Sequence, residues 1–168
     1  MIEKIEFKGE EYPILQTKGN ASQYAIPFAQ EIIEGVGFDI GCMKKEWAYP
    51  GAIPIDLDFD DPWDAYNLPE VPPQVDYIFS SHCLEHLPNY VEALEYWNSK
   101  LKTGGVLFMY LPHFNQKYWR PWHNRKHLHS LTPELMKAYF EDMSDMWSSH
   151  FVTPGHDLNH AFYCVAEK

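Results

Sequence analysis

Apolar residues in this chain fall into short runs separated by stretches of helical spacing. Ile2, Ile5 and Phe7, then Tyr12, Ile14 and Leu15, flank the turn-forming Lys8-Gly9-Glu10, which predicts a hairpin within an N-terminal segment 1–19. Asn20 is placed to cap a helix over 21–33, whose Ala25, Phe28, Ala29, Ile32 and Ile33 share one face, and Gly35 and Gly37 end it. Strands are predicted at 36–40, 52–57, 75–80 and 106–111. A helical turn starts at Leu84, and a helix over 90–101 carries Val91, Leu94, Trp97 and Leu101 at core spacing, broken by Gly104-Gly105. Thr132-Pro133 reads as cap and first residue of a helix reaching Phe140. Strands near 148–152 and 160–165 enclose Pro154-Gly155, and the Pro- and Asp-rich 59–74 reads as loop.

Strands alternating with helices predict an α/β fold with a mostly parallel sheet, closed by an antiparallel C-terminal edge hairpin. In such sheets ligands bind beyond the carboxyl ends of the strands. Those ends carry Asp39-Ile40-Gly41-Cys42, Asp56-Leu57-Asp58, Ser80-Ser81-His82 and Pro112-His113. Asp39 and Asp56 lie seventeen residues apart, one strand-to-strand step; each alone also fits a turn residue.

The length of 168 residues suits one domain spanning the chain. With 45% hydrophobic residues, a packed core is available. No apolar run approaches the ~20 residues of a membrane span, and the first residues do not read as a signal peptide. The net charge of −11 argues against a partner that is duplex nucleic acid or a membrane surface. Cys42, Cys83 and Cys164 form neither a disulfide framework nor a paired zinc motif, so a cytoplasmic setting is expected. Against this acidic background, 117–129 gathers four of the thirteen Lys and Arg with three His, two Trp and a Tyr. This marks 112–131 as a substrate-side loop. Trp119 and Trp122 offer stacking faces, Arg120 and Arg125 suit bidentate anion contacts, and His113 lies at its start. His127 and His129 are candidate general bases. The same rings equally serve as core cover, with the cations balancing the protein's own acids.

The ordered series FDIGC, PID, WDAYNLP, VDYIFSSHCLEHL, LKTGGVLFMYLPH and KHLHSLTPEL, over roughly residues 20–140, resembles the class I S-adenosylmethionine-dependent methyltransferases. The likeness is to their small, single-domain, small-molecule and glycan type. It implies a Rossmann-like fold with S-adenosylmethionine as cofactor and a sugar, nucleotide-sugar or metabolite hydroxyl as acceptor. It implies that Asp39, Gly41 and Cys42 meet the methionine part and that Asp56 holds the ribose hydroxyls. Asp64 and Ala65 would meet adenine, and Ser80, Ser81 and His82 would border the cofactor. The family's usual second and third motif glycines are replaced by Met43 and Lys45, and the short interval after Asp56 leaves no room for the usual next helix. A binding module on this fold, without methyl transfer, is therefore a rival reading.

His82-x-x-Glu85-His86 puts two imidazoles and a carboxylate on one face if helical. Some methyltransferases that this chain resembles carry E-x-x-E-H here and bind Mg²⁺. With His82 in place of the first acid, the pattern favours a softer ion or none, a fourth ligand being open among His113, His123, His127 and His129. The expectation is a site without metal; a metal-dependent hydrolase is the remaining rival.

Overall fold

The computed structural model describes residues 2–124 and 126–168. β1 (Lys4–Phe7) pairs antiparallel with β2 (Glu10–Pro13). The ladder stops at Pro13, which lacks an N–H, and Ile14 and Leu15 enter a single helical turn, α1 (Ile14–Thr17), rather than extending the strand. α2 (Ser22–Ala29) is shorter than its apolar spacing predicts. Beyond Ala29 the bonding tightens to i→i−3 turns, Glu31 N to Phe28 O and Ile32 N to Ala29 O. Ala21, not Asn20, is at its N-cap, and the Asn20 carboxamide oxygen accepts from Ser22 Oγ instead.

A six-stranded sheet follows, built from β3 (Gly37–Ile40), β4 (Ile53–Ile55), β5 (Val75–Ser81), β6 (Leu101–Pro112), β7 (Ser149–Val152) and β8 (Ala161–Glu167). Its order is β4-β3-β5-β6-β8-β7. β4, β3, β5 and β6 run parallel, and the last two pairings, β6 with β8 and β8 with β7, are antiparallel, as the alternation predicts. α3 (Tyr90–Lys100) runs directly into β6, so Gly104 and Gly105 lie inside the strand instead of breaking the helix. Asn89 Oδ1 caps α3 through Glu92 N. Thr132 Oγ1 caps α4 (Pro133–Asp142) through Leu135 N, with Pro133 at its first position. Residues 59–74 hold an isolated bridge, Asp64 with Asn67, and no helix.

The central strands β5 and β6 feed two cores because successive side chains face opposite ways. Ile78, Leu107, Met109 and Leu111 meet Leu94 and Trp97 of α3 and Met136 and Phe140 of α4. Tyr77, Phe79, Phe108 and Tyr110 meet Ala25 and Ala29 of α2 together with Tyr49. The second core is largely aromatic, with Phe79 stacked on Phe108 at 5.6 Å. The N-terminal hairpin packs on the basic, aromatic loop. Phe7 meets Tyr118 edge-on at 5.2 Å, Lys117 N donates to Tyr12 Oη at 3.0 Å, and the Lys117 ammonium pairs with Glu10.

Candidate functional site

Parallel alignment of β3, β4 and β5 brings their carboxyl ends to one edge, where a cleft of about 390 Å³ opens. Gly41, the first residue past β3, lies at φ +84°, and its N–H donates to Ile55 O at 2.8 Å. A Cβ there would sit 2.5 Å from Cys83 Cβ, so both conformation and space demand glycine. Met43, at a lost glycine position, keeps the left-handed backbone a glycine would adopt, φ +61°. Its N–H donates to Asp56 Oδ2 at 2.6 Å, and Asp58 N donates to Asp56 Oδ1 at 3.1 Å, which fixes the Asp56 carboxylate on the cleft wall.

Asp64 and Ala65 line the same cleft. Asp64 Oδ1 accepts from Tyr66 N at 2.7 Å, an Asx turn, and Ala65 O is held by the buried Trp97 Nε1 at 2.8 Å. Ser81 and His82 complete the floor at the end of β5. The Ser81 hydroxyl is buried and has no hydrogen-bond partner among the described residues; the same holds for His82 Nε2.

Three of the expected cofactor residues do not line the cleft, Asp39 and Ser80 by strand alternation and Cys42 in the turn after β3. Asp39 points to the opposite face, where Oδ2 accepts from Tyr49 N at 2.6 Å; burial pushes its carboxyl up to about 7. The Ser80 hydroxyl donates to Ile40 O, locking β5 to β3. Cys42 Sγ turns to Ile55 O, and burial beside Asp39 and Asp56 pushes its thiol up to about 12. Sequence reasoning did not find Gly19, Met43, Tyr66 or Lys126 on the wall. Tyr66 had a signal in its place beside Asp64-Ala65; Gly19 and Lys126 reach the cleft only through folding.

The loop residues divide. His113 is buried, its Nδ1 accepting from Asn115 N. Arg120 Nε donates to Phe114 O at 2.9 Å, and its guanidinium lies over Phe114 and Trp122, whose rings are both exposed. Trp119 stacks on His127, centroids 4.9 Å apart and planes within 5°. Arg125 lies outside the described residues. His129 Nε2 donates to Leu87 O at 2.8 Å. Neither His127 nor His129 lines the cleft, whereas His82 and His86 do.

The expected helical face for His82, Glu85 and His86 is absent. His82 is left-handed at φ +52°, and Leu84–His86 forms a 3-10 turn. The three nevertheless converge, and His127 joins them. Glu85 is fully buried, which pushes its carboxyl up to about 6, and burial pushes His127 down to about 3. Leu128 N and His129 N both donate to Glu85 O, at 2.8 and 3.2 Å, which binds the two segments together.

A family model described as a methyltransferase domain matches residues 18–143. No curated protein sequence matches the chain. Among solved structures, the fold is similar to a Thermotoga maritima SAM-dependent methyltransferase, at 12% identity and TM-score 0.63, covering 92% of each chain. It is similar to a SAM-dependent methyltransferase from Archaeoglobus fulgidus, at 14% identity and TM-score 0.60, covering 92% of this chain and 98% of that one. It also resembles a small RNA methyltransferase at 14% identity and TM-score 0.66, over all of this chain and 26% of the other.

Proposed function

The chain belongs to the methyltransferase-domain family, and we propose that it is an S-adenosylmethionine-dependent methyltransferase acting on a small polar acceptor, a sugar, nucleotide-sugar or metabolite hydroxyl. The observation that carries the reading is the cleft itself, with Asp56 and Asp64 on its wall and a buried, unpartnered Ser81 hydroxyl on its floor. A buried hydroxyl without a partner is costly unless a ligand supplies one. Asp56 holds its two backbone donors and keeps lone pairs for ribose hydroxyls. Asp64 keeps an oxygen for an adenine amino group. Gly41 lets the backbone approach the methionine part closely.

When bound, the cofactor supplies a methyl group on an electrophilic sulfonium, a cation that an acidic cleft favours. The lining also carries His82, His86 and Lys126, groups able to hydrogen-bond a polar acceptor. His127 and His129 are turned toward Glu85 and Leu87 O. Holding the acceptor in line with the methyl therefore supplies the rate in this reading, rather than proton abstraction by those two rings. The exposed Trp122 and Phe114, bridged by Arg120, offer a stacking platform outside the cleft for a larger acceptor.

Calorimetric titration with S-adenosylmethionine and S-adenosylhomocysteine, on wild type and Asp56→Ala, tests the reading. The expected result is roughly micromolar binding that the substitution weakens ~10–100-fold. Absence of binding to either compound by folded protein overturns it. Binding without methyl transfer to any of a panel of sugars, nucleotide sugars and metabolite alcohols favours the non-catalytic module.

A further inference from the structure

We infer that the methyl acceptor is a nucleoside diphosphate sugar, its base on the exposed rings of Trp122 and Phe114, its phosphates met by Arg120, Lys126 and Lys8, and a sugar hydroxyl turned into the cleft. The inference deepens the methyl-transfer reading and rests on it for the acceptor's role, whereas the nucleotide site is tested apart from it.

Unmatched charge is the starting point. The chain holds 24 Asp and Glu against 13 Lys and Arg, so acids are in excess. Yet among the described residues Lys8, Arg120 and Lys126 have no carboxylate within 4.0 Å, whereas Lys117 of the same loop is paired with Glu10. In an acidic protein, cations left unmatched in one place are the favoured landing point for an anion.

The fold fixes each cation in place. Arg120 Nε donates to Phe114 O at 2.9 Å, and its guanidinium carbon lies 5.4 Å from the Phe114 centroid and 5.5 Å from that of Trp122. The two Nη groups remain for a phosphate, which a guanidinium meets bidentately. Trp122 is 69% exposed and Phe114 43%, so both rings keep open surface for a base. Two successive turns, His123 N and Asn124 N to Arg120 O and then His127 N to Asn124 O, fold the path from Arg120 to Lys126 well short of the ~20 Å that an extended chain would span. Asn124 Oδ1 accepts from Lys126 N, and Lys126 O accepts from His86 Nδ1, which fixes Lys126 on the cleft wall. Lys8 reaches in from the N-terminal hairpin and donates to His123 Nε2 at 2.8 Å. His123 Nδ1 donates to Lys117 O, which leaves Nε2 the lone pair that the ammonium meets. The His123 ring centroid lies 6.1 Å from that of Trp122, so this ammonium stands beside the platform.

The combination selects the ligand class. A neutral sugar uses the rings and leaves the cations unmatched, and a bare phosphate does the reverse. A sugar phosphate has both groups but a single ring. That ring must carry its hydroxyl into the cleft, and Trp122 does not line the cleft, so one ring cannot serve both places. A nucleoside diphosphate sugar has a planar base for Trp122, two phosphates for the cations along the loop, and a second ring whose hydroxyls reach the cleft.

The test is calorimetric titration of UDP, CDP and GDP, their nucleosides, glucose 6-phosphate, glucose and pyrophosphate, with and without saturating S-adenosylhomocysteine. Adenine nucleotides are omitted because adenine suits the cofactor cleft. At least one diphosphate should bind more than ~10-fold more tightly than its nucleoside, glucose 6-phosphate or pyrophosphate, without displacing S-adenosylhomocysteine. Trp122→Ala and Arg120→Ala should each weaken it ~5-fold or more, and affinity should fall as salt rises. Trp122 is exposed, so its variant should keep the wild-type circular dichroism and S-adenosylhomocysteine affinity. No nucleotide binding, equally tight binding of glucose 6-phosphate or pyrophosphate, competition with S-adenosylhomocysteine, or indifference to Trp122→Ala would each overturn the inference. Binding of S-adenosylhomocysteine without any nucleotide sinks this inference alone. Trp122-dependent nucleotide binding without S-adenosylhomocysteine binding keeps the nucleotide site and sinks the methyl-transfer reading.

Discussion

The Met43 thioether occupies the space that Gly19 leaves by having no side chain. A Cβ on Gly19 would sit 2.6 Å from Met43 Sδ, and both residues line the cleft. Met43 stands where the resemblance expects glycine, and its side chain is accommodated by a glycine from the N-terminal segment.

Gly19→Ala should therefore act in two ways. Its φ of +84° makes any side chain strained, at ~1–2 kcal/mol. The added methyl also displaces the Met43 thioether, the flexible end of a long side chain, toward the cleft. Combined with Met43→Gly, the substitution should lose only the backbone part. A double-mutant cycle of denaturation midpoints and S-adenosylhomocysteine affinity measures the coupling, and strict additivity would refute it.

Gly41→Ala should be far more damaging. The new methyl meets Cys83 Cβ at 2.5 Å, an atom fixed to the backbone, and φ is +84°. A loss of ~2–4 kcal/mol in urea unfolding is expected, with cofactor affinity falling as the loop moves. A near-neutral result would mean that the Cys83 turn yields.

Ser81→Ala separates binding from stability. The hydroxyl is buried and unpartnered, so its removal should leave the melting temperature unchanged or slightly raised. Affinity for S-adenosylmethionine should fall several-fold. Lower stability with unchanged affinity would show that the hydroxyl serves the fold instead.

Asp39 should make stability fall as pH rises. Its carboxyl titrates at about 7 in the folded protein against 3.8 for an unburied aspartate. Between these values the folded state holds a proton that the unfolded state has released, so this group's contribution is greatest at low pH and is lost on approaching pH 7. Asp39→Asn keeps an oxygen for Tyr49 N and removes the titration. Wild type minus variant, compared by denaturation at about pH 5 and about pH 8, should show the wild type relatively weaker at the higher pH. A flat difference would mean Asp39 is ionised throughout.

The chain's alternating pattern was enough to state the sheet and its antiparallel edge, because apolar runs of strand length and a 3.6-residue period are local properties. The cap at Thr132-Pro133 and the helix holding Trp97 were legible for the same reason. Helix α2 misled, since its apolar face continues past the point where its bonding tightens into turns.

The site divides along the same line. Asp56 and Ser81, at or just beyond strand ends, and Asp64, named through the family resemblance, were expected at the site and do line the cleft. Which way a side chain faces there depends on strand phase, so Asp39 and Ser80 were placed with the cleft although they face elsewhere. Tertiary structure alone brought His127 to Glu85 across forty-two residues, and Gly19 to Met43 across twenty-four. Such contacts arise from packing between segments with no shared period, and no local pattern in the chain encodes them.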